Sequence, residues 1–175
     1  MSGGELLIHG QAGDLTGAGM KGGLLQVFGH AGDEAGANLV GNSLGMQGGV
    51  LLIHGDAGRE AGVRMRRGLI FIDGQAGPLA GADMRAGTLL VTGSLGQHPG
   101  IGMRRGSLVA SRLLDPPLGF LPAGAASFIW LRIYLKWLAE RGCAVPETWR
   151  EANFHRLAGS TAEINEGEIL IYDPN

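Results

Sequence analysis

Apolar residues alternate with other residues in short segments that return about every 19 positions over residues 1–112. Counted from one reference glycine in each segment, the residues two and four places on are apolar in every copy. The reference glycines are Gly4, Gly23, Gly49, Gly68, Gly87 and Gly106. A two-residue alternation is typical of a strand with one buried face. The sequence therefore predicts one short strand per repeat.

Three apolar columns result when the repeats are aligned. The first two hold the inner strand residues, which are Leu6, Leu25, Leu51, Ile70, Leu89 and Leu108, then Ile8, Val27, Ile53, Ile72, Val91 and Ala110. The third holds a methionine three places before each reference glycine, at Met1, Met20, Met46, Met65, Met84 and Met103. Because a flexible thioether fills irregular space, we interpret this methionine column as core. A soft-metal path is the alternative, although no Cys or His shares its phase.

The repeat predicts an all-β fold, a right-handed parallel β-helix of about 19-residue coils. A 19-residue unit without a helical pattern favours strands that stack in register, one per coil. The 33 glycines supply corners where the chain turns sharply. Calcium-binding nonapeptide rolls, hexapeptide acyltransferase helices and leucine-rich repeats all have different periods or signature residues. One interval carries seven extra residues, which lie around 39–45.

Residues 113–175 form a second predicted unit, an α-helical appendage to the repeat domain of 1–112. A proline-rich exit covers 113–124, and residues 125–141 are predicted as a helix that ends before Gly142. That helix is apolar nearly all round, which indicates burial on more than one side. The tail at 167–172 has the pattern of a strand that could join a sheet edge.

One outward strand position is also apolar in most coils, and we call it the outer strip. Its residues are Leu7, Gln26, Leu52, Phe71, Leu90 and Val109. An apolar strip of this length indicates a cover, either the chain's own C-terminal helix or another protein chain. We expect a partner interface that includes Leu7, Leu52, Phe71, Leu90, Trp130, Tyr134 and Trp137.

A basic column follows the methionines. It comprises Lys21, Arg66, Arg85 and Arg104, interrupted by Gln47 and doubled by Arg67 and Arg105. Neighbouring cations about 5 Å apart repel by about 1 kcal/mol in water. The column is either a solvated edge or a ladder for an anion or an acidic partner, and the sequence leaves both interpretations open.

Composition excludes several function classes. The net charge of −2 and the lack of a basic run with interleaved aromatics argue against a nucleic-acid partner. The apolar stretch 128–138 contains Arg132 and Lys136 and is too short to span a membrane. A single cysteine, Cys143, fits the reducing cytoplasm. No catalytic residue set, metal-ligand spacing or phosphate loop stands out, and we interpret His9 and His54 as surface or hydrogen-bonded residues.

These features resemble a known family. The repeat G-A-x-M-x-x-G-x-L-x-I-x-G-x-A-G, the longer coil "LVGNSLGMQGG" (39–49), the exit "DPPLGF" (115–120) and the end "GEILIY" (167–172) are similar to the C-type subunit of the formyltransferase/hydrolase complex. They are equally similar to the C-type subunit of formylmethanofuran dehydrogenase. The repeat alone also resembles the C-terminal β-helix of the glutamate synthase large subunit. The excess of arginine over lysine favours the bacterial formyltransferase/hydrolase version.

The resemblance implies a non-catalytic structural component of a C1-transfer complex. Such a complex moves a formyl group from formyl-tetrahydromethanopterin to a methanofuran-type or methylofuran-type carrier and releases formate. The implied partners are the formyltransferase-like D-type, the metal-containing amidohydrolase-like A-type and the B-type subunits. The carrier can bear a polyglutamate tail, which the basic column could bind. The alternatives are the redox dehydrogenase, a glutamate-synthase-like spacer, and an independent enzyme acting on a sugar or acyl substrate.

The first methionine lies at the phase of the methionine column, so residue 1 falls inside a coil. A bare first coil would expose strand edges and interior apolar residues. We therefore expect the cap of this coil to lie elsewhere, in further residues of the chain or in a partner.

Overall fold

The computed structural model describes residues 1–159 and 166–174. Within these residues, nine strands form one sheet in the order β1-β2-β3-β4-β5-β6-β9-β8-β7. The strands are β1 Ser2–Ile8, β2 Gly22–Val27, β3 Val50–Ile53, β4 Leu69–Ile72, β5 Thr88–Leu95, β6 Ser107–Leu113, β7 Phe120–Ala126, β8 Phe154–Gly159 and β9 Glu168–Tyr172. One α-helix, α1, spans Ile129–Ala139, and a 3-10 helix spans Glu147–Arg150.

The six repeat strands stack in parallel with equivalent residues opposite one another. Leu51, for example, lies between Leu25 of β2 and Ile70 of β4. A second ladder connects the small residues after the strand, Ala12, Ala31, Ala57, Ala76 and Leu95. The predicted parallel β-solenoid with coils of about 19 residues is therefore confirmed.

The interior contains the three predicted columns. The methionines from Met20 to Met103 are buried in one core cluster together with the inner strand residues from Leu25 to Leu108. Each methionine methyl lies where a side chain on the next reference glycine would project. The Cε of Met84 is 2.6 Å from the position that a Cβ on Gly106 would occupy. The methionine column thus needs the glycine column, because the thioether fills the space left by the missing side chain.

The C-terminal tail supplies the last strand of the stack. β9 pairs in parallel with β6, so Ile169 lies opposite Leu108 and is fully buried in the same core. The side chain of Met103 packs against Gly167 in the same way as the side chain of Met84 packs against Gly106. The prediction that the tail joins a sheet edge is confirmed. The other edge of β9 pairs antiparallel with β8, which in turn pairs with β7.

The exit and the helix differ from the prediction. Phe120–Ala126 is a strand, whereas the sequence predicted a proline-rich turn to 124 and a helix from 125. β7 is the outermost strand, and an edge strand tolerates Pro122 because one side of its backbone needs no sheet partner. The helix consequently begins at Ile129. Gly142, with a φ of 77°, follows its end as expected.

The outer strip is covered in its middle by the chain's own helix. Leu52, Phe71 and Leu90 are fully buried in a second core with Leu131 and Leu135 of α1. Three residues predicted for a partner interface therefore face this helix, because its buried side supplies the apolar cover that the strip requires. Leu7 remains 44% exposed in β1.

The first coil is the most exposed of the stack. Met1 and Leu6, at core positions of the repeat, are 43% and 51% exposed, whereas their equivalents in later coils are buried. Among the described residues, no atom lies within 4 Å of the position for a Cβ on Gly4, the place that a methionine fills in each later coil.

Candidate functional site

The basic column lies at the entry to the strands, where the solenoid backbone fixes its spacing. The N–H groups of Arg66, Arg85 and Arg104 donate to methionine carbonyls of the preceding coil at 2.7–2.8 Å. Lys21 and Gln47 make the same type of bond. The side chains of the column thus project from equivalent points one coil apart, about 4.8 Å along the axis.

Most cations of the column have no acidic partner among residues 1–159 and 166–174. Arg105 pairs with Glu166 at 3.0 Å, whereas Lys21, Arg66, Arg85 and Arg104 form no ion pair with the described residues. These arginine side chains are exposed. The column is therefore a surface of accumulated positive charge.

Two polar clefts follow the basic column. The first, of about 240 Å³, is lined by Lys21, Gln47, Arg66 and Arg67. The second, of about 350 Å³, contains Arg85 and Arg104 together with Ser43 and the Arg64–Asp83 pair. Ser43 belongs to the seven-residue insertion at 39–45, so the longer coil brings a hydroxyl group to the column.

A third cleft, the aromatic cleft, lies between α1 and the beginnings of three strands. It has a volume of about 470 Å³ and is lined by Val50, Leu69, Thr88, Ile133, Tyr134, Trp137, Arg67 and three reference glycines. Its lining is mainly apolar, with Arg67 at the edge that meets the basic column. The guanidinium of Arg141 covers the Trp137 ring at 3.7 Å. Tyr134 and Trp137, two of the residues expected at a partner interface, line this cleft, whereas Trp130 does not.

A partly buried polar network joins the solenoid to the segment after α1. Nδ1 of His54 lies 2.7 Å from one oxygen of Asp73, and the other oxygen of Asp73 accepts the N–H of Ala144 at 2.9 Å. Nε2 of His54 contacts the Gln26 amide at 2.7 Å. The hydrogen-bonded interpretation of His54 is confirmed. The sequence carried one signal for the Asp73 contact, the shared strand position of His54 and Asp73 in neighbouring coils.

His9 lies on the surface of the same column. Its ring stacks on Phe28, and Phe28 stacks on His54, with centroids 5.0 Å and 5.2 Å apart. The two histidines are thus separated by an aromatic ring.

Cys143 is buried beside this network. Burial raises the pKa of its thiol from 9.0 to about 12, and the negative charge of Asp73 adds to this effect while Arg141 opposes it. A thiol with such a high pKa is a poor nucleophile at neutral pH, because the thiolate is the reactive form. Cys143 therefore acts as a small apolar residue of the second core.

Residues 1–159 and 166–174 contain no group of three or more His, Cys, Asp or Glu side chains placed to hold a metal ion. No helix in that part of the chain is long and apolar enough to cross a membrane.

Comparison with known proteins gives a match among the solved structures. No family model and no curated protein matches the chain. A solved structure does: the formyltransferase/hydrolase complex FhcABCD of Methylorubrum extorquens in complex with methylofuran contains a chain that superposes with a TM-score of 0.89 at 36% identity. The alignment covers 98% of this chain and 64% of that chain, so this chain spans less than two thirds of the length of its match.

This chain is similar to a chain of the formyltransferase/hydrolase complex. The similarity extends through the repeats, the helix and the C-terminal strand, since nearly the whole chain aligns. It confirms the predicted resemblance to that complex. Which of its components the chain corresponds to stays a prediction, namely the C-type subunit.

Proposed function

We propose that this chain is the structural, non-catalytic C-type subunit of a formyltransferase/hydrolase complex. Such a complex transfers a formyl group from formyl-tetrahydromethanopterin to a methanofuran-type carrier and releases formate. The observation that carries the proposal is the alignment of 98% of the chain, at 36% identity, with a chain of FhcABCD. That complex was solved with methylofuran, which supports a carrier of this class.

Acidic side chains of the solenoid form hydrogen bonds between coils, which supports an architectural role. Oδ1 of Asp14 accepts the N–H of Asp33, and Oδ1 of Asp33 accepts the N–H of Arg59, at 2.8 Å and 2.7 Å. Asp56 binds the N–H of Gln75 in the same way at 2.7 Å. These carboxylates connect consecutive coils, which stiffens the stack.

The exposed side of α1 is the proposed contact with other subunits. Ile129 and Ile133 are 77% and 65% exposed, and Tyr134 lies beside them on the helix. With Trp130 and Trp137 they form an apolar and aromatic surface that water covers in the isolated chain, and such a surface is typical of an interface. The proposed neighbours are the formyltransferase-like D-type, the amidohydrolase-like A-type and the B-type subunits, of which the amidohydrolase-like one would hold the metal. Leu7, on the exposed first coil, belongs to a second proposed contact.

Co-purification tests the proposed function. The tagged chain is expressed in its native host, and the recovered assembly is analysed by peptide mass spectrometry and native mass spectrometry. We expect a formyltransferase-like and an amidohydrolase-like chain in fixed ratio with the tagged one. Recovery of a stable monomer, in extracts where those two chains are present, would contradict the proposal.

A further inference from the structure

The aromatic cleft and the basic column form one continuous amphipathic surface. Arg67 lines both the aromatic cleft and the first polar cleft, so the two clefts share a wall. The floor of the aromatic cleft comes from Val50, Leu69 and Thr88, which occupy equivalent positions in three consecutive coils. The cleft therefore runs along the solenoid axis, parallel to the column.

The positive charge of this surface favours an anionic binding partner. Arg66, Arg85 and Arg104 follow one another in three consecutive coils and form no ion pair with the described residues. Their mutual repulsion is relieved when carboxylates lie between them. The apolar lining of the adjacent cleft requires that the same occupant also present an apolar side.

The spacing of the basic column favours an α-helix as the bound segment. From Arg66 to Arg104 the column rises two coils, about 9.6 Å. On an α-helix, residues i and i+7 are separated by about 10.5 Å along the axis, and residues i and i+4 lie on the same face. In an extended strand, residues on the same face are about 6.4–6.8 Å apart, so they do not stay opposite coils that are about 4.8 Å apart. Acidic residues at i, i+4 and i+7 of a helix match the three arginines.

We propose that the aromatic cleft and the basic column bind an acidic amphipathic α-helix of a partner protein chain. The helix lies along the solenoid axis, with its apolar stripe against Ile133, Tyr134 and Trp137. Its carboxylates lie over Arg66, Arg85 and Arg104, and Arg67 bridges the two stripes. The identity of the partner as another component of the complex rests on the proposed function, whereas the chemistry of the bound segment rests on this surface alone.

Photo-crosslinking from the aromatic cleft identifies the occupant. p-Benzoylphenylalanine replaces Tyr134 in the tagged full-length chain, which is irradiated in the native assembly, and the attached peptide is sequenced. The control carries the same probe in place of Leu118, which is also exposed but does not line the cleft. We expect, only from position 134, a peptide with apolar residues at helical spacing beside acidic residues at i, i+4 and i+7.

The recovered segment, made as a synthetic peptide, is then titrated against the full-length chain. We expect Arg85→Glu to weaken its binding about tenfold, and added salt to weaken it further, because the contact is electrostatic. The control Arg112→Glu reverses an exposed charge outside the column and should leave binding within about twofold. A peptide without this acidic spacing, no cross-link from position 134, or equal affinity for both variants would overturn the proposal.

The two proposals fail separately. If the chain co-purifies with the expected subunits but position 134 gives no cross-link, the docking of a helix is wrong and the proposed function stands. If those subunits are absent but an acidic helical segment of another protein is captured and binds through Arg85, the proposed function is wrong and the docking stands.

Discussion

Asp73 bridges His54 and the backbone of Ala144, since one of its oxygens lies 2.7 Å from Nδ1 of His54 and the other accepts the Ala144 N–H at 2.9 Å. His54 and Asp73 belong to neighbouring coils, and Ala144 follows α1. The Asp73 carboxylate therefore connects the segment after α1 to the solenoid. The side chains of His54 and Asp73 are largely buried there.

Asp73→Asn should destabilise the folded chain by about 1–3 kcal/mol. His54 and Ala144 contact different oxygens of Asp73. Asparagine replaces one of these oxygens by an NH2 group, which cannot accept a hydrogen bond, so one donor loses its partner. The measurement is the free energy of unfolding in urea. The matched control is Asp83→Asn, because the Asp83 carboxylate is exposed 3.7 Å from Arg64 and should contribute about 0–1 kcal/mol. Equal losses for the two variants would contradict the bridging role.

The methionine column predicts a second stability effect. Met84→Ala should cost about 2–5 kcal/mol, because it leaves a cavity in place of a fully buried side chain. Met84→Leu keeps most of the volume and should cost less than about 1.5 kcal/mol. Thermal and urea unfolding of the two variants measure the difference. A small loss for Met84→Ala would mean that the coils close over the space.

Gly106→Ala tests the partner of that methionine. The added Cβ would lie 2.6 Å from Cε of Met84 and 2.6 Å from the carbonyl oxygen of Gly87, in a backbone with φ of 102°. The methionine can move, but the carbonyl cannot, so we expect a loss of at least about 2 kcal/mol. Gly124→Ala is a control with φ of 86° and open space around the Cβ, and it should cost less. The unfolding free energies of both variants decide this.

The coil corners place non-glycine residues in the left-handed region. Glu60 has φ of 58° and Gly62 has φ of 74° in the same corner. Glu60→Gly relieves about 1–2 kcal/mol of backbone strain against about 0.5–1 kcal/mol of added chain entropy in the unfolded state. We therefore expect a neutral to slightly stabilising change, and a loss of about 1–2 kcal/mol for Gly62→Ala, where the Cβ meets only ordinary contacts. Differential scanning calorimetry of the two variants shows whether each substitution stabilises or destabilises the chain.

The thiol of Cys143 predicts a pH dependence. The unfolded thiol, with its ordinary pKa of 9.0, loses its proton above pH 9, whereas the folded thiol keeps it to about pH 12. The unfolded state therefore binds fewer protons in this interval, and the contribution of the thiol to stability, complete below pH 9, is lost as the pH rises towards 12. Urea unfolding at about pH 8 and about pH 10.5 should show a steeper decrease for the native chain than for Cys143→Ala. Parallel decreases would mean that the folded thiol ionises normally.

The same pKa predicts chemical protection. At about pH 8 a thiol reagent should label the folded chain far more slowly than the urea-unfolded chain. Equal labelling rates would contradict the burial of this thiol.

Most of the solenoid could be predicted from the sequence because its contacts repeat. Each coil buries the same positions against the same positions of its neighbours, so the period alone identified Leu51, Met65 and Gly87 as members of columns. In the first coil the equivalent residue Leu6 is exposed, as expected for a bare coil, because burial there depends on a neighbour on only one side.

The C-terminal unit was less predictable because its contacts are unique. The apolar pattern predicted a helix over 125–141, but an apolar segment with proline before it could be a turn or an edge strand. Only pairing with β8 made Phe120–Ala126 a strand. The candidate site depends on the same geometry, since Arg67 and Trp137 are distant in the sequence and meet only when α1 lies across the strands.

The sequence by itself therefore determined the stack of coils, the methionine and glycine columns and the column of cations, because each follows from a residue repeated at fixed spacing. The tertiary structure alone decided that the chain's own helix covers the outer strip, that β9 completes the solenoid, and that an apolar cleft borders the arginines. These arrangements depend on contacts between segments that do not belong to the repeat. The local sequence pattern is compatible with several such arrangements, and the packing of the helix against the sheet decides between them.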